Sequence, residues 1–214
     1  MSEPPTDTDH EALRRRNRTL GYLKLWGINA DLTPLPVPLR DSYTPHELAA
    51  VVGRAKSLCL VALKGQGLSL RESFAFADAY GVWDHLTIEE HDFVLEPEPS
   101  RQELVQFAWR FEGLRVMEWA LGIVKHLGFP VDPADPAVAV QLCMEKILNA
   151  STGDVLELRS TKELLDAADV TWSLTAVSAA LQAAPVEGVT LHPGVVHERS
   201  QGFTWLVRTG WPDA

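Results

Sequence analysis

The sequence contains few cysteines and no long apolar run, and each shortage excludes a class of protein. Two cysteines among 214 residues, Cys59 and Cys143, cannot build a disulfide framework, and buried free thiols are normal in a reducing cytosol. The longest strongly apolar run, 58–63, is far shorter than the ~20 residues that span a bilayer. Residues 1–9 contain no apolar segment of the signal-peptide type. We therefore predict a cytoplasmic protein that does not enter a membrane.

Positive charge is scarce beyond the first 26 residues. Five of the 19 lysines and arginines precede residue 27, but only four of the 29 acidic residues do. Residues 27–214 therefore contain 14 basic and 25 acidic side chains. Such an acidic body repels a phosphate backbone, so general nucleic-acid binding is excluded, while a basic protein partner fits the charge. The basic segment Arg14–Arg18 is typical of a solvated helix face, and the alternative is a contact with RNA or an acidic partner.

Motifs that mark catalytic or metal sites are missing or incomplete. Gly65 and Gly67 lack the third glycine of a dinucleotide-binding loop, and they follow a helical pattern rather than a strand. His197 is followed by Gln201 at the position where a zinc protease has its second histidine. Three carboxylates share one helical stripe, which is typical of a solvated acidic face rather than a metal site: Glu89, Asp92 and Glu96. We therefore predict no metal and no cofactor.

Helix signals dominate the chain. Four segments have Ser or Thr followed three residues later by Glu, the capping-box pattern: Thr44–Glu47, Thr87–Glu90, Ser100–Glu103 and Ser160–Glu163. Apolar residues then recur at helical spacing, and no alternating strand pattern is longer than the segment 154–158. We predict an all-α fold, an irregular bundle of about eight helices around a central long helix, with at most one short extended segment. Residues 1–8 are predicted to be disordered and 9–214 to form a single helical domain.

The segment 100–127 is predicted to be the central long helix. Projected at about 100° per residue, its apolar residues fill two separate sides, so neighbours are expected on both. Arg110 falls between these sides, with Leu114 on its own face. Arg199 lies within the apolar stripe of the last predicted helix, and Asp169 lies on the apolar face of the helix before it. These charged side chains are therefore expected to be buried.

Buried guanidinium groups need partners, because a buried charge without one costs several kcal/mol. Arg110 and Arg199 must therefore meet carboxylates, or else line a cavity that holds water or an anionic ligand. The predicted charged cluster comprises two arginines and three acids: Arg110, Glu112, Asp169, Glu198 and Arg199. Three interpretations stay open, namely an ion-pair network that fixes helix docking, a ligand-binding pocket and a catalytic site, and we favour the first.

Three groups of residues, in chain order, resemble a bacterial family. They are Trp109–Gly122, then Leu158–Ser160 with Glu163, Leu165, Asp166 and Asp169, and finally Pro193–Arg199 with Trp205 and Leu206. Together they resemble the family named domain of unknown function 4272. The opening of that family is resembled by earlier residues, so that the resemblance covers residues 14–211: Arg18, Gly27–Ile28, Leu35–Pro36 and Arg54–Ala55. The resemblance implies a mostly helical bacterial protein without an assigned activity.

The chain departs from that family pattern at three positions. The family tends to carry Arg and Trp where this chain has Ser173 and Ala176, and a His often follows the Glu-Arg pair where this chain has Ser200. If those positions build an active centre in the family, that centre is altered here.

Two functional hypotheses follow from these observations. Because no nucleophile, metal set or cofactor loop can be named, we predict a non-enzymatic interaction or accessory protein whose charged cluster is architectural and whose acidic surface meets a basic partner. The alternative is a protein that binds a small anionic ligand, or a hydrolase. In that case Arg110 and Arg199 would clamp the anion, and the proton carriers would be Glu112, Glu198 or Asp169.

Overall fold

The computed structural model describes residues 7–29, 43, 46–149, 156–183 and 187–207. Within these ranges the regular structure is helical and no strand occurs, which confirms the predicted all-α class. The helices are α1 (Asp7–Leu25), α2 (Leu48–Gly65), α3 (Leu70–Tyr80), α4 (Ile88–Leu95), α5 (Arg101–Ala108), α6 (Arg110–Ala120), α7 (Pro136–Cys143), α8 (Thr161–Ala183) and α9 (Pro193–Val207). A 3₁₀ turn precedes α4, and a π-helical turn continues α7: Trp83–His85 and Met144–Leu148.

Parts of two predictions fall outside the described residues. The predicted disordered terminus, 1–8, is undescribed up to residue 6, and its last two residues already belong to α1. The predicted extended segment, 154–158, is undescribed at its first two residues, and the other three have no regular structure.

The chain divides into two compact units. The α1–α8–α9 unit includes the described residues 7–29, 43, 130–132, 160–183 and 187–207. The α2–α7 unit includes the described residues 46–129, 133–149 and 156–159. The single helical domain predicted for 9–214 stays a prediction.

Capping boxes determine where several helices begin. At Thr87–Glu90, Ser100–Glu103 and Ser160–Glu163, the hydroxyl oxygen accepts from the Glu amide while the Glu carboxylate accepts from the Ser or Thr amide. These three predicted boxes are confirmed. A further box, Ser69–Glu72, opens α3 and was not predicted. Each box satisfies two amide groups that a helix N-terminus otherwise leaves without partners.

The start of α2 differs from its prediction. Thr44, the predicted cap, lies outside the described residues, and α2 begins at Leu48. Glu47 occupies the cap position in an extended conformation, and its side chain makes no capping hydrogen bond. The predicted role of Glu47 as the third residue inside the helix is therefore wrong.

The central helix of the α2–α7 unit is α2, and the prediction that placed it at 100–127 is wrong. α2 contacts each of α3 to α7, and buried side chains occur all round it. The 100–127 segment forms α5 and α6, which meet at Trp109, and regular α-helix ends at Ala120. At Trp109 the backbone ψ is −14°, which is closer to a 3₁₀ turn than to an α-helix. Residues of both apolar sides, Leu114 and Val116 among them, are buried on α6, so burial on two sides is correct although the single long helix is not.

Gly65 allows the end of α2 to lie directly against α5. A Cβ atom at position 65 would stand 2.3 Å from the backbone nitrogen of Ala108 and 2.9 Å from the carbonyl oxygen of Leu104. Backbone atoms cannot move aside as a side chain can, so only glycine fits this contact.

Arg159 holds the C-terminal end of α6 and explains why that helix stops before residue 127. Its Nε donates to the carbonyl oxygen of Trp119 at 2.7 Å, and its Nη2 donates to those of Val124 and Lys125 at 3.1 and 3.2 Å. Its guanidinium carbon lies 4.6 Å from the centre of the Trp119 ring. Gly122, at φ +74°, reverses the chain in the left-handed conformation that glycine adopts without strain.

Among the described helices, α8 is long and apolar enough to cross a membrane by length and composition alone. Half of its apolar window is buried inside the protein, a pattern that core helices also have. Its buried residues include four polar ones, Asp169, Thr171, Ser173 and Ser178. The predicted cytoplasmic location stays a prediction.

Candidate functional site

All five residues of the predicted charged cluster are buried, with exposed fractions of 8% or less. They are distributed over both units. Arg110 and Glu112 lie on α6 in the α2–α7 unit, and the α1–α8–α9 unit contains the other three, Asp169, Glu198 and Arg199. Their assembly into one site therefore stays a prediction, and each unit is described by itself.

Asp169 is the acceptor at the centre of a buried group in the α1–α8–α9 unit. Arg16 Nη2 donates to its Oδ1 at 2.8 Å, and Thr19 donates to its Oδ2 at 2.5 Å. The Arg16 Nε lies 3.3 Å from both carboxylate oxygens. Ser173, which stands where the family tends to carry another residue type, is fully buried and donates to the carbonyl oxygen of Asp169 at 2.7 Å.

A second, more exposed group lies beside it. The Asp166 carboxylate accepts from Arg15 at 3.1 Å, from Arg18 at 2.6 Å and from Lys162 at 2.8 Å. Although partial burial alone raises the pKa of Asp166, hydrogen bonds and charge from Arg18 and Lys162 bring it below its ordinary value. Asp166 therefore stays ionised and joins α1 to α8.

The interpretation of Arg14–Arg18 as a solvated face is wrong for its two middle arginines. Arg15 and Arg16 are 1% and 8% exposed, whereas Arg14 and Arg18 face solvent. The signal was the helical spacing of these arginines with Ala12 and Leu23, which are buried on the same helix. Arginine can occupy such a buried face because its long apolar stem packs against apolar neighbours while its charged head pairs with a carboxylate on the facing helix.

Arg110 lies in a buried group of the α2–α7 unit that sequence reasoning did not find. Glu90 is fully buried, and Arg54 donates to both of its carboxylate oxygens. The Arg54 Nη2 donates to Oε1 at 2.7 Å, and Nη1 donates to Oε2. The Arg110 Nε lies 3.6 Å from the same Oε1, and the Thr87 amide donates to Oε2 at 3.1 Å. Burial alone raises the pKa of Glu90, but the charges and hydrogen bonds of these neighbours bring it below its ordinary value.

Two features of the sequence could have led to Glu90 and Arg54. Glu90 closes a capping box immediately before an apolar stretch, and Arg54 interrupts the apolar pattern of α2. Glu112, the predicted neighbour of Arg110, accepts from the backbone amide of Ala134 at 2.6 Å, at the approach to α7. It therefore fixes a loop, in addition to any interaction with its helix neighbours.

Glu118 is the buried acid with the most unusual environment. It lies on α6, and one oxygen accepts from Arg115 at 2.7 Å, while Oε1 has no hydrogen-bond partner among the described residues. Burial raises the pKa of Glu118 to about 7, against the lowering effect of Arg115. A carboxyl group that titrates near neutrality can exchange protons at physiological pH.

Two buried thiols lie near Glu118. Cys59 of α2 and Cys143 of α7 are free and fully buried, and their side chains are hydrogen-bonded to each other. This contact and burial raise the pKa of Cys143, and the charge of Glu118 raises it further. The Cys143 thiol is therefore protonated, which is typical of a structural rather than a nucleophilic cysteine.

The acidic stripe Glu89, Asp92 and Glu96 is exposed, in agreement with its interpretation as a solvated face. Across the part of the chain that the structure describes, no three or more His, Cys, Asp and Glu side chains are arranged to hold a metal ion.

The chain matches a known protein family. The model of the family described as "Domain of unknown function (DUF4272)" matches residues 15–213, nearly the whole chain. No curated protein and no solved structure matches the chain.

Proposed function

The chain belongs to the DUF4272 family, a family of unknown function, and we propose that it is a non-enzymatic interaction or accessory protein. In this proposal the buried ion pairs hold the helices together and the acidic exterior binds a basic partner protein. A cytoplasmic location is part of the same proposal.

One observation supports this proposal above the others: the central buried carboxylates already have buried arginine partners. Asp169 accepts from Arg16 and Thr19, and Glu90 accepts from Arg54 and the Thr87 amide. A proton carrier or an anion clamp must offer its polar atoms to a ligand. Groups whose hydrogen bonds are made within their own unit are better suited to fixing how helices pack.

The second element of the proposal is the charge of the exterior. The net charge is −10, and several arginines that would offset it on the surface are directed inward instead. A surface with this excess of carboxylates attracts cationic segments over distances of about 8 Å at physiological salt. The partner class is therefore a basic protein segment rather than a nucleic acid.

A thermal-shift and calorimetric comparison tests the proposal. The folded protein is titrated with an eight-residue Lys/Arg peptide, an acidic peptide of the same length, inorganic phosphate and citrate. We expect the basic peptide alone to raise the melting temperature, because a ligand bound only by the folded state stabilises it. Its binding should weaken steeply between 50 and about 300 mM salt. Stabilisation by phosphate or citrate, without any by the basic peptide, would reject the proposal in favour of an anion-binding protein.

The alternative of a hydrolase or small-ligand protein is supported by a specific feature, Glu118. A fully buried carboxyl with a pKa near 7 and an unused oxygen resembles the groups that transfer protons in enzymes. Arg115, its partner at 2.7 Å, would stabilise the ionised form. If the anion arm of the experiment is positive, loss of that stabilisation in Glu118→Gln would identify this carboxyl as part of the site.

A further inference from the structure

Three aromatic rings form a continuous row on one side of the α2–α7 unit. The Phe74 and Trp83 ring centres are 5.4 Å apart, and those of Trp83 and His91 are 5.8 Å apart in an edge-on arrangement. The row runs from α3 through the 3₁₀ turn to α4. Phe74 is 38% exposed and the His91 side chain 46% exposed, so part of this aromatic surface faces solvent.

Exposed apolar surface continues from the row onto α4. Ile88, three residues before His91, is 76% exposed, which is high for so large an apolar side chain. Leu95, two turns further along the same helix, is 38% exposed. Isolated exposed apolar residues are common, but several next to a row of rings are typical of an interaction surface.

Carboxylates surround this apolar surface. Asp78 accepts from the Trp83 indole nitrogen at 2.8 Å, and Asp92, whose side chain is 77% exposed, lies 3.8 Å from His91. Residues 69–99 contain eight acidic side chains and a single arginine, Arg71, and only one of the eight acids is buried. A cationic ligand on this surface therefore meets Asp78 and Asp92, in a segment whose formal charge is mainly negative.

Several neighbours orient the Trp83 ring. The hydrogen bond to Asp78 holds the Trp83 ring in one orientation, and Phe74 and His91 support it on two sides. Trp83 also packs against the buried cluster of the unit that includes Val82 and Phe93. Rigid aromatic side chains lose little conformational entropy on binding, which favours affinity.

We infer that this surface, formed by Phe74, Asp78, Trp83, Ile88, His91 and Asp92 and here named the α3–α4 face, binds an arginine- or lysine-rich segment of a partner protein. The inference rests on the proposed function and names its surface. Arginine and lysine match both parts of the face, because their methylene stems cover apolar rings while their charged heads reach carboxylates. A cation above an indole or phenyl ring adds a further attraction. A phosphate or an acidic peptide would be repelled by the same carboxylates.

Peptide titrations on exposed-position variants test the inference. The probe is the eight-residue Lys/Arg peptide, and binding is measured by calorimetry at 50 mM salt for the wild type and three variants. Asp92→Lys reverses a charge on the face, and Phe74→Ala together with Ile88→Ala removes apolar surface. Glu145→Lys is the matched control, because Glu145 is an exposed acid of the same unit on the π-helical turn after α7.

We expect Asp92→Lys and the Phe74→Ala/Ile88→Ala double variant each to weaken binding about tenfold, and Glu145→Lys less than twofold. Circular dichroism and melting temperature verify that each variant is folded. Equal affinities in all four proteins, or an equal loss in Glu145→Lys, would overturn the α3–α4 face while leaving the proposed basic partner in place. If the wild type itself does not bind the peptide, the proposed function fails and this inference fails with it.

Discussion

Arg16 Nη2 and Asp169 Oδ1 lie 2.8 Å apart although the two residues are 153 positions apart in the chain. The pair is buried and joins α1 to α8, and Thr19 supplies a third group to the same carboxylate. Charge inside a helical protein is expensive to desolvate, and this pair offsets the cost with a nearly complete set of hydrogen bonds.

Breaking this pair one side at a time should be far worse than removing both sides. We expect Arg16→Leu and Asp169→Ala each to lower the free energy of unfolding by about 3 kcal/mol or more, because each leaves a buried charge without its counter-ion. The double variant should lose clearly less than the sum of the two single losses. Urea unfolding of all four proteins measures the coupling, and strictly additive losses would show that the pair does not interact.

Glu118 should make the stability of the protein depend on pH in the neutral range. Because the pKa of Glu118 is about 7 in the folded protein and ordinarily 4.5, the folded state binds the proton more tightly than the unfolded state. Its contribution to stability is therefore complete below pH 4.5, falls between pH 4.5 and 7, and stays low above pH 7, a loss of roughly 3 kcal/mol in total.

The variant Glu118→Gln removes this titration while keeping a polar side chain beside Arg115. The difference in unfolding free energy between the two proteins should change by roughly 3 kcal/mol in favour of the variant from pH 4 to pH 8. The other carboxylates are present in both proteins, so their effects cancel in the difference. A difference that does not vary with pH would show that Glu118 titrates normally.

Gly65 should be irreplaceable, in contrast to another helical glycine, Gly21. Gly65→Ala places a Cβ 2.3 Å from the Ala108 backbone nitrogen and should cost about 3 kcal/mol as α2 and α5 are forced apart. Gly21→Ala in α1 meets nothing within 4 Å and should stabilise the protein by about 1 kcal/mol through helix propensity. Thermal unfolding compares the two. Similar effects in both variants would disprove the close helix contact.

Arg159 should not tolerate replacement by lysine. Arg159→Lys keeps the charge but loses the forked group that reaches the carbonyl oxygens of Trp119, Val124 and Lys125, so we expect a loss of about 2 kcal/mol. The same change at the exposed Arg101 should shift stability by less than about 0.5 kcal/mol. Equal effects at both positions in urea unfolding would show that Arg159 acts only through its charge.

Local features were predicted well because their causes lie within a few residues. The boxes at Thr87, Ser100 and Ser160 depend on side chains three positions apart, and each starts a helix as expected. The burial of Arg110 and Asp169 followed from helical spacing alone. These predictions needed no knowledge of which helices are neighbours.

Partners across the chain were not predictable in the same way. Nothing in the spacing around Asp169 indicates Arg16, and nothing around Arg110 indicates Glu90, because only the packing of whole helices brings them together. The central helix was assigned wrongly for a related reason. Arg54 and Lys64 interrupt the apolar pattern of α2, yet both charges are buried against internal acceptors, and the sequence around them does not indicate those acceptors.

The carboxylate of Glu90 links the start of helix α4 to the attachment of that helix to α2, two features that are separate in most helices. One of its oxygens accepts from the first turn of α4 and from α2, so the winding of α4 and its attachment to α2 require the same atom. An isolated peptide of α4 would keep its capping box but lose Arg54, the counter-charge of the carboxylate that closes the box. In hydrogen-exchange measurements, the amides of the first turn of α4 should open together with those near Arg54, as one cooperative segment rather than as a fraying end.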